Sequence, residues 1–248
     1  MKLIAFYLQC DTVSYIMTPC HFLGRSSVMP TERFFRLNEE KKNKIMEAAR
    51  LEFSLNSFHD AAISNIIKTA GIARGSFYQY FEDKEDLFLY CVMLTQNELE
   101  EIFDTLYQEN HGDLVTAFEL FFDQFVEEVY HGKNAKFLKN LLVYMDYRVS
   151  HKVFSEERLK SMKEQKHHIQ KATFESLYKH LNHNLINVDS YDDFIVLFRM
   201  VSSIIFVSIN EGFRDEMISG SVDTEKVKAS FKKKLNWLKF GVLKGVKD

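Results

Sequence analysis

The sequence predicts an all-α chain, and three observations carry that prediction. Only 2 prolines and 9 glycines punctuate the 248 residues, so there are few points at which a helix must stop. Glu, Lys, Leu and Phe recur at three- and four-residue spacing, the period of a helix with one buried stripe. No alternating apolar and polar run competes for a strand. With 46% hydrophobic residues, the chain can bury a sizeable core in one or two domains.

The elements follow in order. The first 28 residues show neither helical periodicity nor a cap, and the apolar run from Leu3 to Leu8 is too short for a signal core and follows a single Lys2. Residues 1–37 therefore read as an N-terminal extension, with Met29, just before Pro30 and the polar lead-in from Thr31 to Glu40, as a candidate start. A first helix is predicted from Asn38 to Leu55. Asn38 supplies its cap, Glu39 and Glu40 suit its positive end, and Ile45, Ala49 and Phe53 face inward.

The stretch from Ala61 to Phe81, AAISNIIKTAGIARGSFYQYF, reads as helix, tight turn and helix. Ile63, Ile66 and Ile67 give the first helix its inward side, and Gly71 ends it in a left-handed conformation open to glycine without steric cost. Arg74, Ser76, Tyr78 and Gln79 follow on a second short helix, which Ile72, Phe77 and Phe81 dock. That arrangement is a helix-turn-helix. Arg74 and Gln79 carry the forked and amide ends that read base edges, Tyr78 and Lys84 suit phosphates, and Ser64 and Ser76 serve either purpose. Net charge is −3 and the pI near 6.3, so the whole chain lacks the basic character of a nucleic-acid binder. Locally the balance differs: no acidic residue lies between Asp60 and Glu82, where Lys68 and Arg74 do.

Phe58, Ile66, Ala70-Gly71-Ile72, Gly75-Ser76-Phe77-Tyr78, Tyr80-Phe81 and Lys84-Glu85-Asp86-Leu87, with Ile45, Ala48, Ala49 and Phe53 upstream, resemble the TetR family signature in order and spacing. The resemblance covers roughly Asn38 to Cys91. It implies a homodimeric, DNA-binding transcriptional regulator, usually a repressor released by a small ligand. It divides the chain into a DNA-binding domain at 38–91, with its helix-turn-helix at about 61–81, and a helical effector-binding and dimerisation domain at 92–248. Ser64, Arg74, Gly75, Ser76, Tyr78, Gln79 and Lys84 are then the expected DNA-binding residues on a pseudo-palindromic operator. Ala61 and Ala73 depart from the family, which commonly places Thr or Ser there; a lost cap costs about 1 kcal/mol, and Ser64 and Asp60 are the candidates to compensate.

Beyond the reader, Asp83 caps a fourth helix that runs toward Tyr107 with Leu87, Cys91, Leu94, Ile102 and Leu106 along one side. By analogy with the family it links the domains as a lever. Leu114, Phe118, Phe121, Phe122, Phe125 and Val129 mark one amphipathic helix, and Phe137, Leu141, Tyr144 and Met145 mark the next. A more polar helix is read between Ser155 and Leu181, and a loop from Asn182 to Ser190. Ile195 to Ile209 is apolar nearly all round yet too short to span a membrane, so it is expected to lie buried in protein. Asp223 to Val246 carries a stripe of Val227, Phe231, Leu235, Leu238 and Val242, and its lysines read as a solvated face. The last two helices resemble the family's paired dimerisation helices.

Phe118, Phe121, Phe122, Phe125, Tyr144 and Tyr147 are the candidate lining of a pocket for a hydrophobic effector, beside a plain core-packing role for most of them. His180 and His183, three apart on an expected helix, lack a third ligand at telling spacing, so no metal and no cofactor is expected. Nucleophile elbow, phosphate-cradling glycine loop and HExxH pair are all missing, which argues against an enzyme. Three cysteines without metal-like spacing fit a reducing, cytoplasmic setting. A DNA-binding organiser or partner-controlled regulator without a small-molecule pocket is the alternative reading.

Overall fold

The computed structural model describes residues 30–144 and 172–242, and these are helical with short connections. In chain order the helices are α1 (Glu32–Phe35), α2 (Glu39–Leu55), α3 (Ile63–Ala70), α4 (Arg74–Tyr80), α5 (Lys84–Glu109), α6 (Leu114–His131), α7 (Ala135–Tyr144), α8 (Tyr191–Ser219) and α9 (Thr224–Phe240). Residues 172–179 are also helical. The chain divides into two compact units, one holding the residues up to Glu101 together with Lys133–Ser176, the other Ile102–Gly132 and Leu177–Asp248.

In the first unit the predicted signals act as read. The Asn38 side chain accepts from Lys41 N at 2.9 Å to start α2, and Ile45, Ala49 and Phe53 are buried on its inner side. Gly71 closes α3 at φ 66°, ψ 36°, with Ile72 N donating to Ile67 O at 3.2 Å, so the chain re-enters α4 three residues later. Asp83 Oδ1 accepts from Asp86 N at 2.8 Å at the start of α5. Cys91 of α5 is fully buried, which pushes its thiol up to about 12.

Two placements differ from the sequence reading. The polar lead-in contains a helical turn whose Phe34 is only 1% exposed and packs within this unit. α7, expected to continue the C-terminal part, docks on α2 instead: Asn140 Nδ2 donates to the carbonyls of Phe53 and Ser54 at 2.9 and 3.1 Å, capping the end of α2. Phe137 of α7 meets Phe88 at 6.1 Å between ring centroids.

The second unit is built on α6, α8 and α9, each started by a side-chain cap from Asp113, Ser190 and Asp223 respectively. Leu114, Phe118, Phe121, Phe122, Phe125 and Val129 are all buried, as their spacing predicts. Residues 182–190 form the expected loop. Most lysines of α9 lie on its exposed side, and three of them are also paired: Lys228, Lys232 and Lys239 meet Glu127, Asp123 and Glu119 of α6 at 2.7, 3.1 and 3.2 Å. Lys228 and Lys232 stand one turn apart on α9, as Glu127 and Asp123 do on α6, and Lys239 reaches Glu119 from two turns further on, a pairing invisible to single-helix reading. Gly212 of α8 sits against Tyr130, whose hydroxyl donates to Ile209 O at 2.6 Å.

The apolar run of α8 is only partly covered, because Val196 and Met200 are 55% and 47% exposed. Among the described residues no helix is long and apolar enough to cross a membrane. His180 and His183 lie in a turn after residue 179 rather than on a helix, and the described residues hold no cluster of three metal-ligating side chains. Most of the helix expected from Ser155 lies outside the described residues.

Candidate nucleic-acid interface

α3 and α4 are short, 8 and 7 residues, and are held from one side. Ile66, Phe77 and Phe81 are buried beneath them; the opposite sides of both helices are polar and open. Ser64, Arg74, Gly75 and Gln79 are exposed, Tyr78 is 47% exposed, and Ser76 is half-buried. Arg74, Ser76 and Gln79 make no side-chain hydrogen bond among the described residues. A surface hollow of about 310 Å³ is lined by Ala61, Ile63, Ser64, Arg74, Tyr78 and Lys84, five of them from the start of α3 and from α4 or the residues flanking them. A Cβ built on Gly75 meets nothing within 4 Å, so the backbone there is open to a partner.

Lys84 is anchored more firmly than a surface phosphate ligand. Its ammonium donates to the carbonyls of His59 and Ala61 at 3.1 and 2.7 Å and lies 4.8 Å from the centroid of the Phe58 ring. Burial lowers its pKa, opposed by the negative charges of Asp60 and Glu52. An ammonium has three donors, and two are spent on the loop before α3.

The geometry is that of a compact helix-turn-helix with a polar outer side. The model described as "Bacterial regulatory proteins, tetR family" matches residues 45–91, and that described as "Tetracyclin repressor-like, C-terminal domain" matches residues 113–242, more than half of the chain. The chain belongs to the TetR family. It is 37% identical over 71 residues to the uncharacterized HTH-type transcriptional regulator YdgC of Bacillus subtilis (strain 168), covering 29% of this chain and 36% of that protein. Over 73 residues it is 37% identical to YvdT, of the same description and organism, with coverages of 29% and 36%. The chain thus spans about a third of the length of these curated relatives. A crystal structure of a TetR-family transcriptional regulator from Pectobacterium atrosepticum aligns over 85% of this chain and 99% of that one, at 18% identity and a TM-score of 0.47. The matched families and relatives are regulators, not enzymes.

As a TetR-family reader this one lacks both helix caps. α3 and α4 begin after Ala62 and Ala73, neither of which offers a side-chain hydrogen bond. Compensation at α3 comes from Glu52, not from Ser64 or Asp60. Glu52 Oε1 accepts from Ala62 N at 2.8 Å and from Asn65 Nδ2 at 3.1 Å, while Asp60 Oδ2 is taken by the Ser57 hydroxyl. Glu52 is 7% exposed, so a carboxylate at the positive end of α3 does the work of a cap. Its signal was present in the spacing: positions 45, 49, 52 and 53 fall on one helical side, and a charge among inward-facing residues implies a buried partner.

The four candidate pocket phenylalanines lie in the core of the second unit. Phe122 stacks on Phe231 of α9 at 3.9 Å between centroids. Phe118 lies 4.8 Å from Phe103 and 5.0 Å from Phe198, and Phe121 stacks 5.5 Å from Phe125. Tyr144 closes α7, and Tyr147 lies outside the described residues.

Proposed function

We propose that the chain is a homodimeric, sequence-specific DNA-binding repressor whose grip on a pseudo-palindromic operator is released by a small, largely hydrophobic effector. The observation that carries the DNA reading is the open polar side of α3 and α4, where Ser64, Arg74 and Tyr78 line one hollow and Gly75 leaves the backbone unobstructed. Arg74 and Gln79 read base edges there, Tyr78 meets the DNA phosphates, and Ser64 and Ser76 serve either purpose. Lys84 contributes its remaining donor and its charge.

Dimerisation is supported by exposed apolar side chains on both helices, Val196 and Met200 one turn apart on α8 and Trp237 and Phe240 on α9, since clustered exposed apolar surface marks interaction sites. The effector reading follows from the family; Phe103, Phe118, Phe121 and Phe198 pack ring against ring in the core of the second unit, and an apolar ligand of matching chemistry enters by parting them. α5 contributes residues to both units and is a continuous helical route by which a preference of a few kcal/mol passes from one to the other.

The deciding experiment is selection of bound duplexes from a random library by the full chain, followed by affinity measurement against salt. The reading expects an enriched two-fold site and affinity that falls steeply with salt. No enrichment, or full affinity for a lone half-site, refutes it.

A further inference from the structure

Thr31 occupies the cap position of α1 but leaves that role unfilled. Threonine at such a position ordinarily accepts a hydrogen bond from its own helix; here no local side-chain bond forms. Its hydroxyl donates instead to Gln79 O, and its backbone N–H donates to Tyr80 O at 2.8 Å. Both acceptors belong to the last turn of α4, and the last carbonyls of a helix have no partner within it.

α4 depends on such help. It has 7 residues, no side-chain cap at Ala73 and no basic residue in its last turn, and an isolated helix of that length does not persist in water. Beside the two hydrogen bonds, Phe34 packs 5.0 Å from Phe81, 6.3 Å from Tyr80 and 5.5 Å from Tyr90 of α5 between ring centroids. Lys41 adds its ammonium 5.8 Å from the Tyr80 ring centroid. The C-terminal end of the reader helix is thus fixed by a segment 48 residues upstream.

We infer that Thr31 and Phe34 are positioning residues of the reader: the segment Thr31–Leu37 clamps the C-terminal end of α4 and sets the pitch at which Arg74 and Gln79 meet DNA. This rests on the DNA-reading role proposed above. The family match begins at residue 45, so neither residue falls within it.

Thr31→Pro tests the clamp without changing the φ of residue 31, because Thr31 already has φ −63°, the value proline imposes, and proline removes the N–H and the hydroxyl together. Thr31→Ser keeps both. Amide exchange of the full chain, read peptide by peptide, is expected to quicken about tenfold in α4 for Thr31→Pro with α2 and α6 unchanged, while Thr31→Ser matches the parent. On the duplex selected by the parent chain, the ratio of affinities for that duplex and a scrambled one is expected to fall about tenfold for Thr31→Pro only. Unchanged α4 exchange overturns the clamp. So does quickened exchange spread evenly over α2, α3 and α4, or a full affinity ratio despite a loosened α4. If the parent selects no duplex, the DNA reading fails, and the exchange arm still decides whether residue 31 holds α4.

Discussion

Replacing Glu52 by alanine should loosen the reader more than any change on its open side. The carboxylate accepts two hydrogen bonds at the start of α3, one from a backbone N–H that Ala62 leaves otherwise uncapped. A hydrogen bond to a charged group contributes about 1.5–3 kcal/mol, and a missing cap costs about 1 kcal/mol. Since one acceptor serves both donors, the contributions overlap, and Glu52→Ala should cost about 2–4 kcal/mol. Glu52→Gln keeps an acceptor and surrenders the charge, for roughly half of that. Residue 62 is extended, φ −114° and ψ 126°, so serine there supplies a local cap: its hydroxyl accepts from the N–H two or three residues on, a different donor from the Ala62 N–H that Glu52 holds, and Ala62→Ser should therefore add about 1 kcal/mol in the parent and in Glu52→Ala alike. The assay is amide exchange over Ile63–Ala70 in the full chain, converted to an opening free energy. A cost for Glu52→Ala within the roughly 0.5 kcal/mol typical of surface substitutions would refute the capping argument.

Arg74→Ala should cost roughly 1–3 kcal/mol of binding to the selected duplex and relax preference at one base pair, whereas Lys84→Ala should weaken all duplexes alike; competition assays over single-base variants separate the two. Lys84→Ala should also lower stability, since it strips the His59 and Ala61 carbonyls of their donor, and thermal unfolding reads this. A Cβ on Gly212 would lie 2.1 Å from the Tyr130 hydroxyl and 2.7 Å from Val227, so Gly212→Ala should destabilise by about 1–3 kcal/mol despite a helix-propensity gain of about 1 kcal/mol. Adding Tyr130→Phe should recover part of it, as a urea-unfolding double-mutant cycle would show. Glu211 is lowered below the usual carboxylate range: burial raises it, but hydrogen bonds from Lys234 and Ser230 and the charges of Lys234 and Arg214 outweigh that. A depressed folded pKa gives stability that is complete above the unfolded value and lost as pH falls through the folded one. Urea midpoints followed down through the carboxylate range should therefore decline less steeply for Glu211→Gln than for the parent.

Where a signal was local, the sequence was sufficient. Gly71, Asn38 and Asp83 act within a few residues of themselves, and the buried residues of α2, α4 and α6 follow from helical spacing alone. What was missed depended on partners distant in sequence. Asn140 caps α2 from 86 residues away, Thr31 reaches α4 over 48, and the α9 lysines find their acids on α6 more than 100 positions earlier. Lys84 shows the same limit at the site itself. Its type and place suggest an exposed phosphate ligand, yet the fold brings two carbonyls within its reach. The outward placement of Arg74 and Gln79 was legible because Phe77 and Phe81 settle which side of α4 must be buried.

The cysteine at the heart of α5 also makes the first unit self-reporting. Only a thiolate attacks an alkylating reagent, and with its thiol held near 12 and fully enclosed, Cys91 stays silent while the bundle is shut. Modification of the peptide that carries it therefore counts openings. The rate at which a maleimide accumulates there, followed by mass spectrometry, is a clock for the breathing of the helices beneath the reader, and it needs neither an engineered cysteine nor knowledge of the operator.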